Sequence, residues 1–151
     1  MINRKWLCLV SCTFDRIMFM TRKKIGTIII PPGVFVSVHE KMTADYLAMI
    51  GNDVIFLKPN RRKGSKTPDI RMSNRLWEIK CPTGKSSRTI ENNLRAALSQ
   101  SANIILDLRR MDGRIPAHKL LSETERQFTL TRSIRWIIVI TKDNKHIDFR
   151  R

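Results

Sequence analysis

Asp69 and Glu78 are the only acidic residues between Val54 and Ile90, a stretch that also carries ten lysines and arginines. The segment Pro68-Asp69-Ile70-Arg71-Met72-Ser73-Asn74-Arg75-Leu76-Trp77-Glu78-Ile79-Lys80 reads as two short strands joined by a two-residue turn at Ser73-Asn74. Met72 then faces Arg75, and extending the ladder sets Asp69 opposite Glu78 and Thr67 opposite Lys80. Side chains alternate between faces. One face therefore carries Asp69, Arg71, Leu76, Glu78 and Lys80, and the other Ile70, Met72, Trp77 and Ile79, with Arg75 breaking the apolar set. Opposed residues sit about 4.5–5.5 Å apart at Cβ, close enough for two carboxylates to ligate one ion. Like charges placed face to face need a positive group between them: a divalent metal, Lys80, or both. Two isolated carboxylates in a basic field suit metal-assisted cleavage of a polyanion. The rim draws in phosphates, and the carboxylates hold a cation shared by water and phosphate oxygens. Mg²⁺ (or Mn²⁺) fits this ligation. The plainer alternative is ordinary surface ion pairing of Asp69 and Glu78 with neighbouring Arg and Lys.

The elements around this hairpin follow from periodicity and punctuation. Val38 to Ile50 predicts a helix with an apolar stripe of Val38, Met42, Leu47, Met49 and Ile50, small Ala44 and Ala48, and Gly51 as a stop. Ser37 is its N-cap, and Glu40 three residues later completes a capping box. Val54–Leu57 predicts a short strand, 58–66 a basic loop, 67–72 and 75–80 two strands, and 81–87 a loop. A second helix is expected from about Arg88 to Ser101, with Ile90, Leu94, Ala97 and Leu98 on one face. A strand at 104–108, a turn at 109–113, a helix at 116–128, a buried strand at 134–141 and a final short strand through Phe149 complete a mixed α/β pattern.

At 151 residues the chain is about one domain long, and 42% apolar residues can build a core. Twenty-nine Lys and Arg against 13 Asp and Glu give a net charge of +16, an excess that points to an anionic partner, nucleic acid first and an acidic membrane surface second. No run approaches the roughly 18 apolar residues a membrane span needs. Cys8, Cys12 and Cys81 are an odd set, and His39, His118 and His146 lie far apart, which argues against a disulfide framework and a zinc cluster. Residues 1–30 read as an N-terminal extension, either a mis-assigned start (Met18 and Met20 are alternatives) or a weak signal with Leu9-Val10-Ser11-Cys12 as a lipoprotein-like box. Residues 31–151, after the Ile28-Ile29-Ile30 run and its Pro31-Pro32-Gly33 breaker, read as the domain proper.

Pro68-Asp69 and Glu78-Ile79-Lys80 resemble the two halves of the PD-(D/E)xK nuclease superfamily motif. A wider ordered set is similar to the C-terminal toxin domain of CdiA-type contact-dependent growth inhibition proteins: His39-Glu40, Gly51, Thr67-Pro68-Asp69-Ile70, Trp77-Glu78-Ile79-Lys80, Thr89-Ile90-Glu91-Asn92-Asn93, Gln100 and Ile105-Leu106-Asp107-Leu108. The resemblance implies an α/β restriction-endonuclease-like core, a mixed sheet flanked by helices, acting as a metal-dependent nuclease on RNA, tRNA first. It implies Asp69 and Glu78 as metal ligands, Lys80 as the group that positions or activates water, Glu40 as an accessory acid and Gln100 as a candidate accessory residue. It also implies a cytoplasmic site of action and a cognate immunity protein. Those toxin domains usually end very long secreted proteins, whereas this chain is short.

Arg61, Arg62, Lys63 and Lys66 of the basic loop, with Lys85 and Arg88, are expected to grip the nucleic-acid backbone. DNA is the alternative substrate for the same site. The rival from another class is a basic nucleic-acid-binding module without catalysis, which would tolerate loss of Asp69 and Glu78. Trp77 is expected in the core, so no aromatic platform for bases is legible.

Overall fold

The computed structural model describes residues 24–60, 62 and 64–151. Among these residues seven strands form one sheet in sequence order: β1 (Ile28–Ile29), β2 (Val54–Phe56), β3 (Ile70–Met72), β4 (Arg75–Lys80), β5 (Asn103–Asp107), β6 (Trp136–Ile140) and β7 (His146–Arg150). The β1–β2, β4–β5 and β5–β6 pairs are parallel, and β2–β3, β3–β4 and β6–β7 are antiparallel. Among the described residues three α-helices, α1 (Val38–Met49), α2 (Arg88–Leu98) and α3 (Ala117–Leu130), flank it, so the expected mixed α/β class holds.

The alternation of side chains divides the core in two. Trp77, Ile79, Ile105, Ile138 and Ile140 point to the α1 side, where Ala44 and Leu47 pack on them. Ile104, Leu106, Ile137 and Val139 point the other way, against Ile90, Leu94 and Ala97 of α2 and Leu120 of α3. β5 and β6, apolar on both faces, are buried as parallel strands of an α/β sheet must be.

α1 starts and stops as its sequence predicts. The Ser37 side chain accepts from the Glu40 N–H at 3.3 Å, and the Glu40 carboxylate accepts from the Ser37 N–H at 2.8 Å. Its buried face is different from the expected stripe. Thr43, Ala44, Tyr46, Leu47 and Ala48 are buried, while Val38, Met42 and Met49 are exposed at 72%, 51% and 58%. The two alanines let the helix backbone approach the sheet closely, which turns the bulkier flanking residues outward. α2 begins at Arg88 as expected but ends at Leu98, so Ser99–Ser101 form the turn into β5.

The sheet begins ahead of the start expected at residue 31. Ile28–Ile29 pairs with Val54–Ile55, and Thr27 donates from N and Oγ1 to Asp53 Oδ1, each at 2.8 Å. A three-residue apolar run ending in Pro-Pro carries no period by which a strand can be recognised. The start sites and lipoprotein-like box at residues 1–20 lie outside the described residues. Gly26 makes the junction possible: its N–H donates to Ala48 O at 2.8 Å, and a Cβ there would lie 2.0 Å from the Asn52 carbonyl oxygen. Backbone cannot swing aside as a side chain can. Gly26→Ala is expected to cost about 1–3 kcal/mol, read as a lower denaturation midpoint with an unchanged slope.

Candidate functional site

The hairpin that joins the two carboxylates has the expected register: Ile70 pairs with Trp77, Arg71 with Leu76 and Met72 with Arg75. Ser73 and Asn74 both take positive φ, 50° and 56°, the backbone of the two-residue turn whose twist suits a hairpin. Regular pairing stops at Ile70. Asp69 lies one residue outside β3, where its N–H still donates to Trp77 O at 3.1 Å and its Oδ2 accepts from the Ile79 N–H at 2.8 Å. The Asp69 carboxylate is thereby held on β4 beside Glu78. Thr67 is not opposite Lys80 in the ladder; its Oγ1 accepts from the Asn60 N–H at 2.8 Å and closes the basic loop.

Glu78 is the unusual group. Its side chain points to the α2 side of the sheet and is 1% exposed. Oε1 accepts from Lys80 Nζ at 2.5 Å and from Gln100 Nε2, while Oε2 is buried with no hydrogen-bond partner among the described residues. Burial pushes its carboxyl up from the ordinary 4.5 to about 7; the Lys80 ammonium works against that rise, and the neighbouring Asp69 carboxylate adds to it. Asp69 is raised as well, first by burial and further by the negative charge of Glu40, against the Ile79 N–H and Lys80. Two neighbouring carboxyls, both with raised pKa, thus meet a lysine and an amide at one point.

The other expected residues divide between those brought to this centre and those kept apart. Gln100, from the turn after α2, touches Glu78 directly. Glu40 sits in the first turn of α1, close enough to bias Asp69, but its Oε2 is engaged in the capping box. Among the described residues no three His, Cys, Asp or Glu side chains gather as a metal cluster, so Asp69 and Glu78 stand as a pair without a third carboxylate at the same point. Lys66 donates to Ser99 Oγ at 2.9 Å, one residue from Gln100, which brings one arm of the basic loop to the site. Arg62, Lys85 and Arg88 are exposed. Arg61 and Lys63 lie outside the described residues.

The pair fits a divalent cation. An unpartnered buried oxygen carries a desolvation penalty that no hydrogen bond offsets, and a hard cation accepts that kind of ligand. Asp69 and Glu78 are the residues that would hold it.

One buried polar group is not legible in the sequence. Asp107, at the end of β5 and 3% exposed, accepts from Thr43 Oγ1 at 2.7 Å and from Arg109 Nε at 2.9 Å, and pairs with Arg109 Nη2 at 2.5 Å. Burial opposes its ionisation, but the Arg109 and Thr43 hydrogen bonds outweigh that and hold its carboxyl below the ordinary range. This network locks α1 to the carboxyl end of β5 and so fixes Glu40. Only the adjacency of Asp107 and Arg109 is visible along the chain; Thr43 is 64 positions away.

The family described as the contact-dependent growth inhibition CdiA C-terminal domain matches residues 66–146, more than half of the chain. The chain belongs to that family. This CdiA C-terminal domain carries Asp69, Glu78, Lys80 and Gln100 inside the matched stretch, with Glu40 outside it. Its fold is similar to that of a chain in the CdiA-CT/CdiI toxin and immunity complex from Burkholderia pseudomallei, with a TM-score of 0.61 and 20% identity, covering 83% of this chain and 100% of that one. No curated protein matches the sequence significantly. Membership makes it a growth-inhibition toxin domain, and among the described residues no helix is long and apolar enough to cross a membrane.

Proposed function

We propose that this domain is a divalent-metal-dependent nuclease of the PD-(D/E)xK kind, hydrolysing phosphodiester bonds of RNA, tRNA first. The observation that carries this reading is the buried Glu78 carboxylate, with one oxygen unpartnered among the described residues and the other on Lys80, set beside Asp69 in a chain of net charge +16. A buried carboxylate kept beside a second carboxylate opposes stability, a cost that a bound cation would offset.

Asp69 and Glu78 would hold Mg²⁺ or Mn²⁺, which when bound supplies Lewis-acid polarisation and lowers the pKa of water. The chain's own residues do the rest. Lys80 Nζ, next to Glu78 Oε1, places a positive charge where the attacked phosphate gathers negative charge, and orients water by donating to it. Gln100 fixes the Glu78 oxygen that Lys80 shares. Glu40, kept on α1 by Ser37, sustains the negative potential at Asp69. Lys66 and Arg62, with Lys85 and Arg88, attract the backbone and hold it by charge. The family, and the toxin–immunity complex in which its structural relative is found, support two further parts of the proposal: a cognate immunity protein and action inside a target cell's cytoplasm.

Incubation with total RNA and with plasmid DNA, with Mg²⁺, Mn²⁺ or EDTA, tests the reading. RNA should be cut only with metal, and Asp69→Ala should be inactive. Cleavage that persists in EDTA, or no cleavage of either polymer with metal, defeats it; metal-dependent cutting of DNA alone moves the substrate to DNA.

A further inference from the structure

A cluster of arginines lies at the other end of β4. Arg75, which opens that strand, lines a pocket of about 350 Å³ together with Asn103, Arg135, Trp136, Arg150 and Arg151. Lys80 closes the same strand, so the pocket stands about 17 Å from it along the chain. The pairing of Asn103 and Arg150 with Trp136 puts it on the α1 face of the sheet, opposite to Glu78. Arg151 has a structural role, since its guanidinium donates to the carbonyls of Thr131 and Ile134 at 3.1 and 2.5 Å and closes the end of α3. The other three arginines differ. Among the described residues, Arg75, Arg135 and Arg150 make no ion pair, and their guanidiniums donate to no protein group; Asp148, two residues before Arg150 on its face of β7, pairs with none of them.

Two of these arginines converge on one indole. Arg150 lies 4.5 Å and Arg75 5.8 Å from the Trp136 ring centroid. The ring stabilises each cation in part, but it leaves two like charges close together with their donors unused. Asn103 Oδ1 and Trp136 Nε1 are also buried without partners among the described residues. Three unused guanidinium forks suit oxyanions bound in bidentate fashion.

We infer that this arginine pocket binds backbone phosphates of the nucleic-acid substrate remote from the scissile bond, so that the domain grips a long or folded strand passing over the Ser73–Asn74 turn. The inference rests on nucleic acid being the substrate. Arg71, exposed on β3 on Asp69's face, adds charge between the two ends. A dinucleotide, with a single internal phosphodiester, cannot occupy both places; a tRNA can. An acidic protein surface is the competing occupant, disfavoured because the exposed Arg71 stands between the turn end of the hairpin and the Asp69–Glu78 end, where an extended strand and not a local protein contact would meet it.

The test is equilibrium binding in EDTA, which needs no hydrolysis, of tRNA, a dinucleotide and polyglutamate to the parent and to Arg75→Gln/Arg150→Gln. The variant should bind tRNA about tenfold more weakly, with the slope of log affinity against log salt reduced by about 1.4–1.8, and should bind the dinucleotide unchanged. Arg135→Gln, an exposed single change, should give a smaller shift in the same direction and guards against misfolding of the double variant. Unchanged tRNA affinity and slope in either folded variant overturns the inference, as does loss of polyglutamate binding alone. Pocket-dependent tRNA binding without metal-dependent cleavage would sink the nuclease reading and leave the pocket standing, and the converse result separates them the other way.

Discussion

Glu78→Gln is expected to abolish cleavage while making the metal-free protein more stable above neutral pH. The loss follows from removing a charged ligand for the proposed cation. It should exceed about a hundredfold, the upper range for losing a group that merely supports a ligand. The gain follows from linkage. The folded-state pKa of Glu78 is raised to about 7 from 4.5, so the native state holds a proton that the unfolded state has released between those values. The contribution to stability is fully present below about 4.5 and is lost as pH rises through about 7. Glutamine cannot ionise and escapes that loss. Melting curves without metal should coincide near pH 4.5 and separate at about pH 8, with the variant higher by at least about 2–4 °C, the response of a chain this size to about 1 kcal/mol. An unchanged or lower melting temperature at that higher pH would show that Glu78 is a satisfied structural carboxylate.

Lys80→Met carries the second large effect, with an opposite metal signature. Lys80 touches Glu78 Oε1 at 2.5 Å and is the cation that lowers its pKa. Its removal should slow cleavage by about 10²–10⁴, the range for a positioned proton-transfer or charge-stabilising group, without loss of Mn²⁺ binding by calorimetry at about pH 8. The pH midpoint for Mn²⁺ uptake should rise, because Glu78 then loses its counter-charge and ionises later. Loss of Mn²⁺ binding together with activity would assign Lys80 to holding the site's structure instead of to the reaction.

Local chemistry in the chain is legible and long-range partnership is not. The Ser73-Asn74 turn and strict alternation fix the hairpin register, so the meeting of Asp69 and Glu78 follows from a few residues. Ser37 and Glu40 likewise mark the start of α1, because a capping box is made within four positions. The strand at Ile28–Ile29 is hidden because its hydrogen bonds go to a segment 26 residues away and its own two residues hold no pattern. The outward turn of Val38 and Met42 is hidden because the face a helix buries depends on how closely its small residues let it approach. Gln100 falls within the helix that periodicity predicts; only the early end of α2 turns it onto Glu78. The arginine pocket draws on β4, β5, β6 and β7, and no spacing along the chain announces it.

The proton that burial favours at Glu78 also bears on when the proposed cation could be taken up. A metal held by Asp69 and Glu78 would have to displace that proton, so its occupancy would rise with both pH and metal supply. In acidic or magnesium-poor surroundings Glu78 would stay protonated and the proposed reaction would stop, without any change of fold.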